Sequence, residues 1–149
     1  MDYQLHEGRL TLPEGFQDRT VNMFVMGANG PTPLSITVSR DTTLPGEVLG
    51  TYLERQLKLI ASKLRGYTVL EKKVVQLSQE QPLQGVQVEA SHQAEGRPMY
   101  QRQAAFIIAP GRVLVFSTSS KKDFTPQQTE EWIKLLASFE LAAPSSAQE

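Results

Sequence analysis

Between residues 34 and 40 the chain alternates without a break, with Leu34, Ile36 and Val38 set against Ser35, Thr37 and Ser39. Successive side chains of a strand leave opposite faces. This segment therefore reads as a strand with a branched apolar face for a core and a row of hydroxyls on the far side. Residues 20–26 read as its partner, yet they carry apolar side chains on both faces: Val21, Met23 and Val25 on one, and Phe24 and Met26 beside Asn22 on the other. A face that mixes Val and Met with a hydroxyl row is a poor solvated surface. It suits an apolar partner that also has hydrogen-bonding needs.

The same reading of period and punctuation extends along the chain. Short extended pieces at residues 3–6 and 9–12 flank Glu7-Gly8 and predict a hairpin ending at Pro13-Glu14-Gly15. Gly27-Ala28-Asn29-Gly30-Pro31 joins the two alternating strands. Over residues 45–65 the period becomes helical: Leu49, Leu53, Leu57, Ile60 and Leu64 form one stripe, and Glu54, Lys58 and Arg65 lie opposite. Pro45 suits the first turn and Gly66 the C-terminal cap. Residues 67–78, 86–94, 99–109 and 112–119 then read as an antiparallel meander, with turn chemistry at Glu95-Gly96-Arg97-Pro98 and Pro110-Gly111. A second helix opens at Thr125-Pro126-Gln127-Gln128 with a capping-box pattern, and carries Trp132, Ile133, Leu136 and Phe139 as its stripe. Four strands, a helix, four strands and a helix predict an α+β fold, an antiparallel sheet with two helices packed on it. Such a sheet can leave part of a face uncovered.

A chain of 149 residues is of single-domain size. We expect one domain over residues 1–141 and a frayed tail over 142–149, where nothing is available to bury. With 15 basic against 16 acidic residues there is no field to gather phosphate backbones, so nucleic acid is not an expected partner. The lack of cysteine excludes disulfides, thiol nucleophiles and thiolate metal sites. No basic and apolar leader opens the sequence, and no run approaches the roughly 20 apolar residues that span a bilayer. The expected location is the cytoplasm, without direct membrane insertion.

Catalysis needs a nucleophile with a base, paired carboxylates or a metal cluster. His6 and His92 stand apart, and a lone imidazole in a strand is more often a packing residue than a base, which needs an orienting partner. Glu7, Asp18 and Asp41 suit turns and caps. Gly27-Ala28-Asn29-Gly30 precedes a strand, the wrong context for a phosphate loop. The Lys121-Lys122 pair reads as solvated. Two glutamines are more informative: Gln56 lies at the edge of the helical stripe beside Leu49 and Ile60, and Gln103 shares a strand face with Ala105 and Ile107. An amide on an apolar face has to find partners or lose about 1–3 kcal/mol. Either a neighbouring group or a ligand supplies them. The Met residues likewise suit a core gap or a surface that accepts varied apolar partners.

Leu5-His6-Glu7, Leu12-Pro13, Gln17-Asp18 with Val21-Asn22-Met23-Phe24, Ser39-Arg40-Asp41, Tyr52 with Arg55-Gln56-Leu57, and Glu95-Gly96-Arg97 followed by Arg102-Gln103 occur in that order. Together they resemble the Eag family of type VI secretion chaperones, built on the DcrB-like domain. The resemblance implies a PsbP-like curved sheet and a homodimer. It also implies a client: the N-terminal transmembrane segments of secreted toxins that carry a PAAR domain, kept soluble before loading on the VgrG spike. It implies neither enzymatic activity nor a cofactor. By matching motif, the apolar client-facing positions correspond to Val21 and Met23, with Thr37 and Leu64. The polar ones correspond to Ser35, Ser39, Gln56 and Gln103. Val21 and Met23 stand where isoleucine is common in the family, which bears on the identity of the client. A transmembrane helix outside lipid exposes apolar surface, worth about 25 cal/mol per Å2 when covered. It also exposes the small and hydroxyl residues that pair with neighbouring helices. A module for a small lipid or other apolar ligand is the alternative reading; an enzyme would need a cluster that the sequence does not show.

Overall fold

A computed structural model describes residues 1–25, 35–80 and 82–142. Its elements follow the predicted order. They are β1 (Asp2–Gln4), β2 (Arg9–Thr11), β3 (Asn22–Val25), β4 (Ser35–Thr42), α1 (Leu49–Lys63), β5 (Arg65–Leu77), β6 (Leu83–Ala94), β7 (Arg97–Ala109), β8 (Arg112–Ser120) and α2 (Pro126–Ala137). β1 and β2 form a hairpin of their own. The other six strands make one antiparallel sheet in the order β3-β4-β8-β7-β6-β5. With its two helices this is the α+β, single-domain fold that the periodicities predict. Met26, Leu34, the predicted 27–31 connection and the tail from residue 143 lie outside the described residues.

Turn chemistry fixes the meander. Glu95 and Gly96 have φ of 52° and 77° between the paired Ala94 and Arg97, the two positive values that a tight hairpin needs to match strand twist. Gly111 supplies the positive φ, 74°, after Pro110. The nonlocal step is the pairing of β4 with β8, which joins the N-terminal strands to the meander.

The two helices pack on opposite faces. On the α2 face Leu77, Ala104, Phe106, Leu114 and Phe116 meet Trp132 and Leu136. On the α1 face Ala105 and Val113 meet Tyr52 and Leu53, with Val86, Ile107 and Val115 around them. Neighbours along β7, such as Ala104 and Ala105, thus serve different cores, as the pleat requires. Ile36 and Val38 are half-buried; Val38 packs against the α2-side core, so the branched face of β4 points where its alternation predicts.

Thr125 caps α2 as expected: its hydroxyl accepts the Gln128 N–H at 3.1 Å, and the Gln128 side chain accepts the Thr125 N–H at 2.9 Å. Ile133, assigned to the stripe, is instead 57 % exposed. Phe139 lies beyond the helix end and packs edge-on against Phe116, with ring centroids 5.9 Å apart.

α1 also departs from its expected bounds. It starts at Leu49 rather than in the turn of Pro45, because Gly46 takes a φ of 74° and the Glu47 N–H bonds the Leu44 carbonyl at 2.9 Å. Gly66 does not cap it. That glycine, with φ of 66°, sits inside β5 at a register shift between Arg65 and Thr68, and the helix ends in the extended Leu64.

Glu47 is fixed from two sides. Arg55 donates to both of its carboxylate oxygens at 2.9 Å, and the Leu44 N–H donates to one of them at 2.9 Å. These bonds, the Arg55 pairing first, lower its pKa from 4.5 to about 2. A depressed carboxylate contributes stability that is complete above its unfolded pKa and is lost as pH falls through the folded one. The melting temperature of the wild type relative to E47Q is therefore expected to be highest at neutral pH and to fall from pH 4.5 toward pH 2. Melting curves across that range, followed by circular dichroism, test this; a constant difference would refute it.

Candidate functional site

The hydroxyl row of β4 lies on the α1 face of the sheet. Register places Ser35 beside Ser119 of β8, and Ser119 beside Gln101 of β7. One step along, Thr37 stands beside Ser117, and Ser117 beside Gln103. A third step puts Ser39 beside Val115, and a fourth puts Asp41 beside Val113. β3 extends the rows outward, Val25 opposite Ser35 and Met23 opposite Thr37. Cross-strand partners share a face, so Met23, Ser35, Thr37, Ser39 and Gln103 are brought to one surface.

The floor of this surface is half-buried, and its rim is apolar. Ser35, Thr37, Ser39, Gln101, Gln103, Ser117 and Ser119 are all of intermediate exposure. None of their side chains hydrogen-bonds another described residue. On the β3 side Met23 is 66 % exposed and Val25 63 %. Phe24, on the other face of this edge strand opposite Ile36, is exposed too. On the other side α1 packs on β5, β6 and β7 and reaches β4 through the bonds of Tyr52 and Gln56 to Asp41.

Val21 sits one residue before β3 and is 54 % exposed. Its neighbours hold it there. Arg40 Nη1 donates to Asn22 Oδ1 at 2.6 Å and to the Thr20 carbonyl at 3.2 Å. The Tyr3 and Thr20 hydroxyls bond at 2.6 Å, tying this segment to the β1-β2 hairpin. Asp18 accepts the Thr20 N–H at 2.9 Å and also the Thr20 hydroxyl, and this bonding lowers its pKa.

Gln56 reaches the same face from α1. Its Nε2 donates to Asp41 Oδ2 at 3.4 Å, and the Tyr52 hydroxyl donates to the same oxygen at 2.8 Å. Burial first, and then this bond to a carboxylate, raise the pKa of Tyr52. Asp41, read from the sequence as a turn or cap residue, is thus a strand residue that anchors α1 beside Ser39; its other oxygen accepts the Thr42 N–H. Leu64 stands at the opposite end of α1, half-buried, where Arg65 pairs with Gln93. It continues the i+4 line from Gln56 and Ile60 but lies apart from the Ser35–Gln103 cluster.

Nothing in the geometry marks a reactive centre among the described residues. His6 is exposed and His92 is buried, 8 % exposed, with Nδ1 lacking a hydrogen-bond partner there. No group of His, Asp and Glu among the described residues is placed to hold a metal ion. No described helix is long and apolar enough to cross a membrane.

Sequence reasoning missed Gln101, Ser117 and Ser119. The run Val113 to Ser120 does not alternate cleanly, and only the pairing of β8 between β4 and β7 shows where its hydroxyls point.

Comparison with known proteins follows the same outline. The family described as DcrB matches residues 7–138. The Pseudomonas aeruginosa protein named Effector EagT6 is 27 % identical over 131 residues, which are 87 % of this chain and 88 % of that protein. The crystal structure of a Pseudomonas aeruginosa protein of unknown function, PA94, superimposes with a TM-score of 0.75 at 24 % identity, covering 97 % of this chain and 98 % of the other. The second likeness concerns the fold.

Proposed function

We propose that this chain, which belongs to the DcrB family, is a non-enzymatic chaperone that holds an N-terminal transmembrane helix of a type VI secretion effector on its β3-β4-β8 surface. One observation carries the reading: an exposed apolar rim of Met23 and Val25, preceded in the chain by the exposed Val21, adjoins a half-buried floor of hydroxyls and amides whose side chains bond no other described residue. Such a surface matches a helix taken out of lipid, which needs its apolar flank covered and its small and polar positions met. The likeness to Effector EagT6 supports an association with such effectors.

Val21, Met23, Ser35, Thr37, Ser39, Gln56, Leu64 and Gln103 are the proposed contacts. Shielding is an equilibrium and needs no cofactor. One sheet face grips a helix from one side, so two protomers related by a twofold axis are proposed to enclose it in the cytoplasm. Handover of the effector's PAAR domain to the VgrG spike would follow.

Co-expression with the N-terminal region of an effector encoded beside this chain tests the reading. The expected result is a soluble complex whose mass by light scattering contains two copies of the chain. Aggregated effector together with a monomeric chain at micromolar concentration would overturn it.

A second reading, a carrier of a small apolar ligand, is favoured by a different feature. A cavity of about 430 Å3 lies between β5 and α2, lined by Val75, Pro82, Trp132, Ile133 and Leu136, a size that suits small ligands. It opens on the face away from the hydroxyl row. A stoichiometric lipid released by solvent extraction and seen by mass spectrometry would support this reading.

A further inference from the structure

We infer that the cavity between β5 and α2 binds an alkyl chain that ends in a carboxylate, with the carboxylate held by Gln87, Thr129 and Lys73. The inference rests on the second reading above, that this cavity takes a small apolar ligand, and adds to it the chemistry of the ligand's polar end. It is independent of the proposed chaperone surface, which lies on the opposite face of the sheet.

Three donors that line the cavity gather toward one end of it. Cross-strand register sets Lys73 of β5 beside Gln87 of β6. Thr129 stands three residues before Trp132, whose indole reaches Gln87. Toward the other end the walls are Val75, Pro82 and Leu136. Ser78 closes that end, where its N–H bonds the Leu136 carbonyl at 2.9 Å. From Thr129 to Leu136 the helix advances about 10.5 Å, a length that suits an extended chain better than a compact group.

Gln87 decides the sign of the head group. It is only 3 % exposed, and its Oε1 accepts the Trp132 Nε1–H at 2.8 Å. An indole N–H can only donate, so this bond commits Oε1 and leaves Nε2 as the free end of the amide. Nε2 bonds no other described residue. A buried amide donor without an acceptor is costly, and such groups are rarely left unpaired. Thr129 adds a second donor, because its hydroxyl oxygen accepts Arg102 Nη2 at 3.0 Å and its hydrogen is left to donate. Lys73 adds charge: its side chain is 45 % exposed, and Glu71 lies 3.9 Å away, too far for a strong pair. Glu89, the other acidic neighbour on this face, is engaged by Arg102. A plain hydrocarbon would leave Gln87 unpaired, and a cationic head would meet donors whose acceptor atoms are already in use. A carboxylate accepts from several donors at once, and its bonds to them are charge-assisted.

Trp132 is the one tryptophan of the chain and lines the cavity, so its fluorescence reports occupancy there and not on the opposite face. The full chain is titrated with decanoate and with decyltrimethylammonium, equal in alkyl chain and opposite in head group, both below their micelle thresholds. Decanoate is expected to shift the emission saturably and to bind on the order of tenfold more tightly than the cation. Gln87→Glu keeps an oxygen for the Trp132 N–H and replaces the donor with a carboxylate, so it is expected to reverse that order. Lys73→Gln is expected to weaken decanoate several-fold and leave the cation unaffected; it keeps the test decisive if Gln87→Glu fails to fold. Equal affinity of the wild type for both ligands would overturn the carboxylate and leave the small-ligand reading standing. Wild-type affinity of both variants for decanoate would overturn the roles of Gln87 and Lys73. Binding of neither ligand would count against the small-ligand reading itself, and against this inference with it.

Discussion

A variant with aspartate at both Val21 and Met23 is expected to lose its grip on an apolar helix while melting within about 2 °C of the wild type. Val21 and Met23 are 54 % and 66 % exposed, and neither belongs to either core. Removing them therefore opens no cavity, and surface changes of this kind cost little stability. In the complex the balance reverses. Each side chain covered by a helix contributes up to about 1.5–3 kcal/mol, and each new carboxylate would lose hydration against an apolar partner without gaining a counter-ion. A combined loss of about 4 kcal/mol, about a thousandfold in affinity, follows. Pull-down of the effector N-terminal region beside a thermal melt reads both quantities. A variant that unfolds would show that these side chains belong to a core, and one that binds normally would show that the rim faces something else.

Local periodicity made much of this architecture legible. The alternation of residues 34–40 sends Ile36 and Val38 to one face and Ser35, Thr37 and Ser39 to the other, because a strand offers no third choice. Glu95-Gly96 and the Thr125–Gln128 box were readable for the same reason: the constraint and the residues that satisfy it are neighbours in sequence. Features set by distant partners were not readable. No local pattern says that β4 pairs with β8, and without that pairing Ser117 and Ser119 have no known neighbours. Gln56 was recognisable as an amide in need of a partner, but its partner, Asp41, is 15 residues away. Pro45 fits a first helical turn as well as it fits the turn it occupies, and the positive φ of Gly46 decides between them, so α1 starts only at Leu49. The resemblance to a known family named Ser35 and Gln103 together. The register sets the two on one face, Ser35 beside Ser119 and Gln103 beside Ser117.

Arg102 and Gln103 are adjacent on β7, and their substitution is expected to have opposite consequences. Arg102 faces α2. Its side chain is 4 % exposed, and Nη2 donates to Glu89 at 2.9 Å and to the Thr129 hydroxyl at 3.0 Å. The Phe124 ring lies 4.4 Å over its guanidinium. Arg102 thus joins β6, β7 and the entry to α2. Replacing it with Met keeps an apolar stem but strands the Glu89 carboxylate, which is only 19 % exposed. Breaking a fully buried pair costs about 3–5 kcal/mol, and the residual exposure of Glu89 reduces this to about 2–3 kcal/mol. For a chain of this length that is a fall of about 5–10 °C in melting temperature. Gln103→Ala removes a half-buried amide that bonds no described residue, so the melt is expected to stay unchanged while affinity for an apolar helix falls several-fold, the worth of one or two hydrogen bonds. Melts and binding curves on the two variants separate the roles. If Arg102→Met bound weakly but melted normally, or if Gln103→Ala lost stability, the two faces of β7 would have been assigned the wrong way round, because a strand sends neighbouring side chains to opposite sides and only one of those sides can be the binding surface.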